Sequence, residues 1–319
     1  MRNKNETICL LYTTYHSFIW DLMSDKVAHK KLTVVNFSNR KIKDNKTHKV
    51  IERTANNKIT FLYRCLTIAA KSKLKTFNLI LPHPDHLLGN TLFFSNNVKK
   101  VTLLEDGILN YYNYERTLNA AKIGIKRRRI TYLTPFRYKI YSGHHSGIDD
   151  CSHALLSGWF TDPENVIKKE KFSSITKINF PANALPLGRN NRTAILLDQP
   201  LEKFLNAATA NAIRKKTIAF VEQNFEKVLI KPHPQHTSIS MEISNVMPFD
   251  FEQNAPIEET ILSIQPAAVV SYCSTALINI SKISSSTQCV AIGINEIIAE
   301  LPAAIEIKEL LIKNKVEIY

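Results

Sequence analysis

The sequence predicts an α/β protein built from two successive parallel-sheet domains. Short apolar runs alternate with longer helical stretches along most of the chain, the alternation lapses once at about residues 179–192, and it then restarts. A chain of 319 residues is long enough for two such domains, each with its own core.

In the first half, strands are expected at 8–12, 32–37, 77–81, 101–104 and 154–156, with helices between them, as at 59–73 and 110–123. The stretch "NFPANALPLGRNNR" mixes prolines, a glycine and several asparagines without periodicity, so it reads as a linker. After it come a strand "TAILLD", a long helix over 200–224, a strand "KVLIKP", a short helix "PIEETILSI", a strand "AAVVSY", a helix "STALINISKI" and a strand "TQCVAIG". The expected boundaries are a Rossmann-like domain over 1–180, a linker over 181–192 and a second Rossmann-like domain over 193–319. Domains of this kind bind ligands at the carboxyl ends of their strands, and two of them are expected to place a cleft between those ends.

Composition narrows the function. An apolar fraction of 44% and a charged fraction of 22% are those of a globular protein. No run approaches the roughly 18 apolar residues of a membrane span, and the first residues lack a secretory apolar stretch, which points to the cytoplasm. The five cysteines are scattered and read as reduced thiols, not as a disulfide frame or zinc site. A net charge of +14 predicts attraction to a polyanion. The basic run "KIGIKRRR", which includes Arg127, Arg128 and Arg129, lacks aromatic interleaving and any helix-turn-helix or zinc pattern. That argues against nucleic acid and leaves an anionic membrane face or an acidic saccharide.

Three motifs could carry chemistry. In "TLLEDGILNYY", Glu105 and Asp106 follow a strand and Gly107 releases the chain. One of the two carboxylates can serve as general base on a hydroxyl if burial raises its pKa, and Asp106 could instead only cap the next helix. In "KVLIKPHPQH", Pro232 and Pro234 hold Lys231 and His233 in extended backbone at a strand end. An imidazole fixed there can give a proton to a phosphate leaving group, with Lys231 adding positive charge. In "VVSYCSTALINIS", Ser274 and Thr275 open a helix, where hydroxyls and free amides suit a phosphate, or where Ser/Thr merely caps. Glu258, in the first turn of the preceding helix, complements its dipole or binds ribose hydroxyls.

The pattern Pro-His-Pro-x-His also occurs earlier, at His83 and His86 in "NLILPHPDH". The surrounding sequences do not align further, so this is not a structural repeat. No cluster of cysteines, histidines and carboxylates has metal-ligand spacing, so neither a metal nor any other cofactor is expected.

The order E-D-G, K-P-H-P, P-I-E and S-T resembles that of the bacterial sialyltransferases of GT-B fold, namely the lipooligosaccharide sialyltransferases and capsular polysialyltransferases. The resemblance implies an inverting transfer from CMP-sialic acid to a cell-surface glycan. Glu105 or Asp106 would be the base and His233 the acid. Ser274 and Thr275 would hold the CMP phosphate and Glu258 the ribose, with Gly107, Lys231 and Pro234 also on the donor side. It makes the first domain acceptor-facing, with His83, His86 and Arg127–Arg129 on that side. A plain helix start with Asp85 in its first turn is the other reading of the His83–His86 stretch, and it leaves His233 as the one catalytic histidine. The acceptor would be anionic or lipid-linked, with peripheral contact at the inner membrane. Two other readings stay open at this point: a CDP-glycerol-type phosphotransferase of cell-wall polymers, and a non-catalytic binder of acidic glycans.

Overall fold

A computed structural model describes residues 6–27, 31–43, 48–54, 56–113, 125–129, 131, 134–181, 190–233, 243–247 and 255–319. The chain divides into two compact units, Met1–Asn179 and Phe180–Tyr319. Residues 182–189, most of the expected linker, lie outside the described residues.

The first unit is a seven-stranded sheet of β1 (Glu6–Leu11), β2 (Leu32–Asn36), β3 (Lys49–Glu52), β4 (Phe77–Leu81), β5 (Val98–Leu104), β6 (Leu155–Phe160) and β7 (Ser174–Lys177). Its spatial order is β3-β2-β1-β4-β5-β6-β7, and every pairing is parallel. Helices α1 (Thr14–Met23), α2 (Lys58–Lys71) and α3 (Leu87–Phe93) connect strands. Strands β1, β2, β4 and β5 are almost wholly buried, as parallel strands covered on both faces must be. One core cluster joins Cys9, Leu11, Val34, Ile80 and Leu104 to Trp20 of α1. Each such side chain contributes about 1.5–3 kcal/mol by leaving water.

The second unit holds β8 (Asn190–Leu197), β9 (Lys227–Lys231), β10 (Val246–Met247), β11 (Pro266–Ser271), β12 (Gln288–Ala291) and β13 (Glu317–Ile318), ordered β10-β9-β8-β11-β12-β13. All of its pairings are parallel too. Its helices are α4 (Ala207–Asn224), α5 (Ile257–Ile264), α6 (Thr275–Ile283), α7 (Ile294–Glu300) and α8 (Ala304–Lys313). Counted within each unit, both sheets therefore begin with the strand order 3-2-1-4-5-6 of the Rossmann fold. Two Rossmann-like units in one chain are what the resemblance to GT-B enzymes implies.

Local differences from expectation have physical causes. The helix expected over 110–123 starts instead as a 3-10 turn, Gly107–Asn110, because Asn110 turns its side chain back onto the Asp106 backbone N–H at 2.5 Å. Residues 114–124 lie outside the described residues. Helix α4 begins only at Ala207, where the Asn206 side chain accepts from the Thr209 N–H at 2.9 Å. Among the described residues no helix is long and apolar enough to cross a membrane.

Candidate active site

In a sheet ordered 3-2-1-4, the connections after the first and fourth strands leave in opposite directions, opening a crevice at their carboxyl ends. In the first unit that point lies between β1 and β4, beside β5. Glu105 and Asp106 follow β5, His83 follows β4, and His16 lies in the first turn of α1 after β1. The topology alone thus gathers residues about 90 positions apart.

The two carboxylates divide sharply. Glu105 is 0% exposed. Its Oε1 accepts from the Tyr15 hydroxyl at 2.7 Å and the Thr161 hydroxyl at 3.1 Å. Its Oε2 accepts from the Thr161 N–H at 2.5 Å and from the Tyr111 hydroxyl. A carboxylate offers about four lone-pair positions, so Glu105 has none left for a substrate. Burial pushes its pKa up, against the pull of these four hydrogen bonds. Glu105 locks β5 to the turn after β6.

Asp106 retains 18% side-chain exposure. Its Oδ1 lies 3.0 Å from His16 Nε2, and its Oδ2 lies 3.3 Å from His145 Nε2 and 3.6 Å from His83 Nε2. Hydrogen bonding fixes two of these tautomers. The Thr13 N–H points at His16 Nδ1 (3.2 Å) and the Asp85 N–H at His83 Nδ1 (3.2 Å). A backbone N–H can only donate, so both Nδ1 atoms accept and both Nε2 atoms carry the proton towards Asp106. Burial alone would raise the Asp106 carboxyl, as the sequence reading expects of a base there. His83, His145 and His16 outweigh it and hold the group well below the usual carboxylate range, so that expectation fails for Asp106. Burial also draws His83 down, against the opposing charge of Asp106.

His145 arrives on a loop set by its neighbours. Gly147 has φ +73°, and a Cβ there would come within 2.8 Å of Pro84. That close fit seats the loop against the Pro82-His83-Pro84 turn. His144 receives the Ser146 N–H on Nδ1 and donates from Nε2 to the Leu109 carbonyl at 2.9 Å. Asp149 accepts the His144 N–H at 2.9 Å and pairs with Lys168 at 2.6 Å and Lys171 at 2.8 Å. His86 caps no backbone amide with its side chain. It stacks on Tyr12 at 5.2 Å, and burial, with Arg127 second, lowers it to about 4.

Arg127 is only partly exposed: it donates to the Asp85 carbonyl, and its guanidinium lies 5.8 Å from the centre of the Tyr138 ring. Arg128 and Arg129 are exposed. Gly107 has φ +71°, the left-handed backbone that releases the chain after Asp106.

In the second unit, Lys231 ends β9 and is buried, and its carbonyl accepts the Asp198 N–H at 3.0 Å. His233 follows two residues later, partly exposed; Pro234 lies outside the described residues. Ser274 caps α6, its hydroxyl accepting the Ala276 N–H at 3.2 Å, and Thr275 is the first helical residue. Glu258 is buried and accepts from the Asn279 amide at 2.8 Å, tying α5 to α6. His233 follows β9 and Ser274 and Thr275 follow β11, the neighbours on either side of β8, whereas Glu258 lies on the helix between β10 and β11.

Sequence reading missed His16, His145, Tyr15, Tyr111 and Thr161. Two signals were available: the Thr13-x-x-His16 spacing of a capping box, and a His-His pair bracketed by Gly143 and Gly147. Among the described residues, no group of three or more His, Cys, Asp or Glu is placed to hold a metal ion.

The structure is similar to that of a calicheamicin glycosyltransferase, with 8% identity and a TM-score of 0.44 over 100% of this chain and 86% of that one. It is also similar to a glycosyltransferase of kitacinnamycin (8%, TM-score 0.43, covering 98% and 96%). A third similar structure is the Methanocaldococcus jannaschii UDP-GlcNAc 2-epimerase (10%, TM-score 0.47, covering 97% and 91%). No curated protein sequence matches the chain. The family model of the alpha-2,8-polysialyltransferases matches residues 3–292, nearly the whole length, and the chain belongs to that family.

Proposed function

We propose that the chain transfers a sialyl residue from CMP-sialic acid to a glycan hydroxyl with inversion and without a metal, and that Asp106 is the general base. Membership of the family supports sialyl transfer. The observation that carries the choice of base is the contrast between Glu105, sealed by four donors, and Asp106, accessible at the switch point. The family's description, alpha-2,8-polysialyltransferase, supports the 8-hydroxyl of a terminal sialic acid as the acceptor in this reading.

In this reading Asp106 takes the proton of the acceptor hydroxyl as its oxygen attacks the anomeric carbon. The bond from that carbon to the CMP phosphate breaks, and His233 gives a proton to the departing phosphate. Ser274 and Thr275 bind the phosphate from the start of α6, Lys231 adds positive charge, and Glu258 is assigned to the ribose. One displacement converts the β-linked donor into an α-linked product. The anomeric carbon is tertiary and ionises readily, so proton transfer at both ends is sufficient and no Lewis acid is required.

The test is to incubate the purified chain with CMP-sialic acid and a soluble sialylated oligosaccharide, following free CMP and the linkage of the product. Release of CMP with a new α2,8 bond, unchanged by EDTA, is expected. Absence of transfer, or activity lost on chelation and restored by a divalent metal, overturns the reading.

A further inference from the structure

Helix α2 is apolar on two sides. Phe61, Cys65 and Ala69, spaced by four, face the core and are buried. Ile59, Leu62, Tyr63 and Leu66, spaced i, i+3, i+4, i+7, form a second stripe beside it. Most of this stripe is open to solvent, with Leu66 half-buried: Ile59 is 86% exposed, Leu62 54% and Tyr63 69%, and Leu74 just beyond the helix is 83% exposed. Scattered single apolar residues need no explanation, but a contiguous stripe at helical spacing does.

The charge around the stripe is one-sided. Over residues 49–75 the sequence carries seven Lys or Arg against a single Glu. Lys58, Arg64, Lys71, Lys73 and Lys75 are all exposed. An apolar stripe flanked by cations matches the boundary of an anionic bilayer, where apolar side chains enter the acyl region and Lys or Arg meet the phosphates. The basic run at 127–129 is a poorer candidate, because Arg127 is engaged with Asp85 and Tyr138.

Position adds a third reason. Helix α2 follows β3 after five residues, so its first turns lie at the carboxyl edge of the sheet, the edge that carries Asp106. Phe61, on its buried side, packs on Phe37 at 5.1 Å, and Phe37 packs on His86 at 4.2 Å. The exposed stripe is therefore one helix thickness from the histidine-lined site.

We propose that the exposed face of α2 docks the protein on an anionic phospholipid surface, setting the Asp106 edge close to acceptors carried by that surface. The part concerning acceptors rests on the function proposed above; the docking does not.

The test uses the full chain and needs no turnover. Sedimentation with vesicles of phosphatidylcholine containing phosphatidylglycerol should capture the protein at low salt, and pure phosphatidylcholine should not. Lys58→Gln, Arg64→Gln and Lys71→Gln together should weaken capture about 100-fold, at roughly fivefold per charge near the surface. Leu62→Ser with Tyr63→Ser should weaken it even at low salt. Both variants should retain wild-type transfer to a soluble acceptor, which shows that they fold. Unchanged capture by either variant overturns the proposal. So does a concentration-dependent dimer in the wild type that Leu62→Ser with Tyr63→Ser dissolves, because the stripe would then be covered by a second copy. Failure of transfer to the soluble acceptor by the wild type, with capture intact, would count against the proposed reaction and not against docking.

Discussion

Glu105 and Asp106 are adjacent in sequence and similar in chemistry, yet the structure gives them opposite surroundings. Asp106→Asn should lower kcat by at least about 100-fold, the scale of a lost general base, and should also lower Tm at pH 7, because the three histidines that depress its carboxyl lose their anionic partner. Glu105→Gln should act mainly on stability: it swaps an acceptor oxygen for an NH2 against four donors, at about 1–3 kcal/mol. Thermal unfolding and kinetics measured on both variants separate the two roles, and an Asp106→Asn enzyme with normal kcat would remove Asp106 as base. The histidines hold Asp106 well below the usual range, so it remains ionised throughout pH 5–8. A fall in kcat within that window would have to come from another group. His233→Ala should lower kcat by about 100-fold or more. The strand-end positions of the carboxylates and of His233 were legible because each follows an apolar strand within two residues. Which carboxylate is sealed and which stays open was not, since that depends on Tyr15, Tyr111 and Thr161 arriving from other elements.

At the scale of elements, the loop bearing His144 and His145 is the most heavily braced part of the site. Gly147→Ala would force a side chain into left-handed backbone and against Pro84. It should cost about 1–2 kcal/mol and reduce kcat by displacing His145, as measured by Tm and by turnover. Asp149 is held well below the ordinary carboxylate range despite its burial, by the His144 N–H, Lys168 and Lys171. A depressed carboxyl stabilises the fold above its unfolded value near 4 and loses that contribution as pH falls. Asp149→Asn should therefore destabilise the protein at pH 7 and make its Tm less sensitive to acid below about pH 4. The buried strands could be read from sequence because parallel strands covered on both faces are nearly continuous apolar runs. The edge strands β3 and β7 could not, as their patterns are half polar. Helix α1 went unread because its capping box closes with His16 in place of Glu or Gln.

For the whole molecule, two buried imidazoles set the acid limit. Burial, first of all, lowers both His86 and His144 to about 4 from an ordinary 6.5. The unfolded chain takes up these protons first as the pH drops, so the stability they confer is complete above about 6.5 and fades towards 4. Tm should fall across that interval, and His144→Gln should flatten the slope. An unchanged slope in that variant would show that His144 does not titrate this way. The two-domain plan was readable because the alternation of strand and helix restarts after the linker. The site was readable only in part, because His16, His83 and His145 meet Asp106 only once the strand order 3-2-1-4-5 has formed.

That order has a consequence in time. Asp106 and its three histidines come from positions 16, 83, 106 and 145, and Thr161, which fixes Glu105, lies later still. No short segment contains the site in miniature. During synthesis it cannot exist until about half the chain has emerged and β1, β4, β5 and β6 have joined. A nascent or truncated chain would therefore carry no partly working catalyst able to hydrolyse the donor wastefully. Transfer cannot precede closure of the first sheet, and in the proposed reaction it also awaits the second unit that carries His233, Ser274 and Thr275, so recovery of transfer after refolding would time the later of the two events.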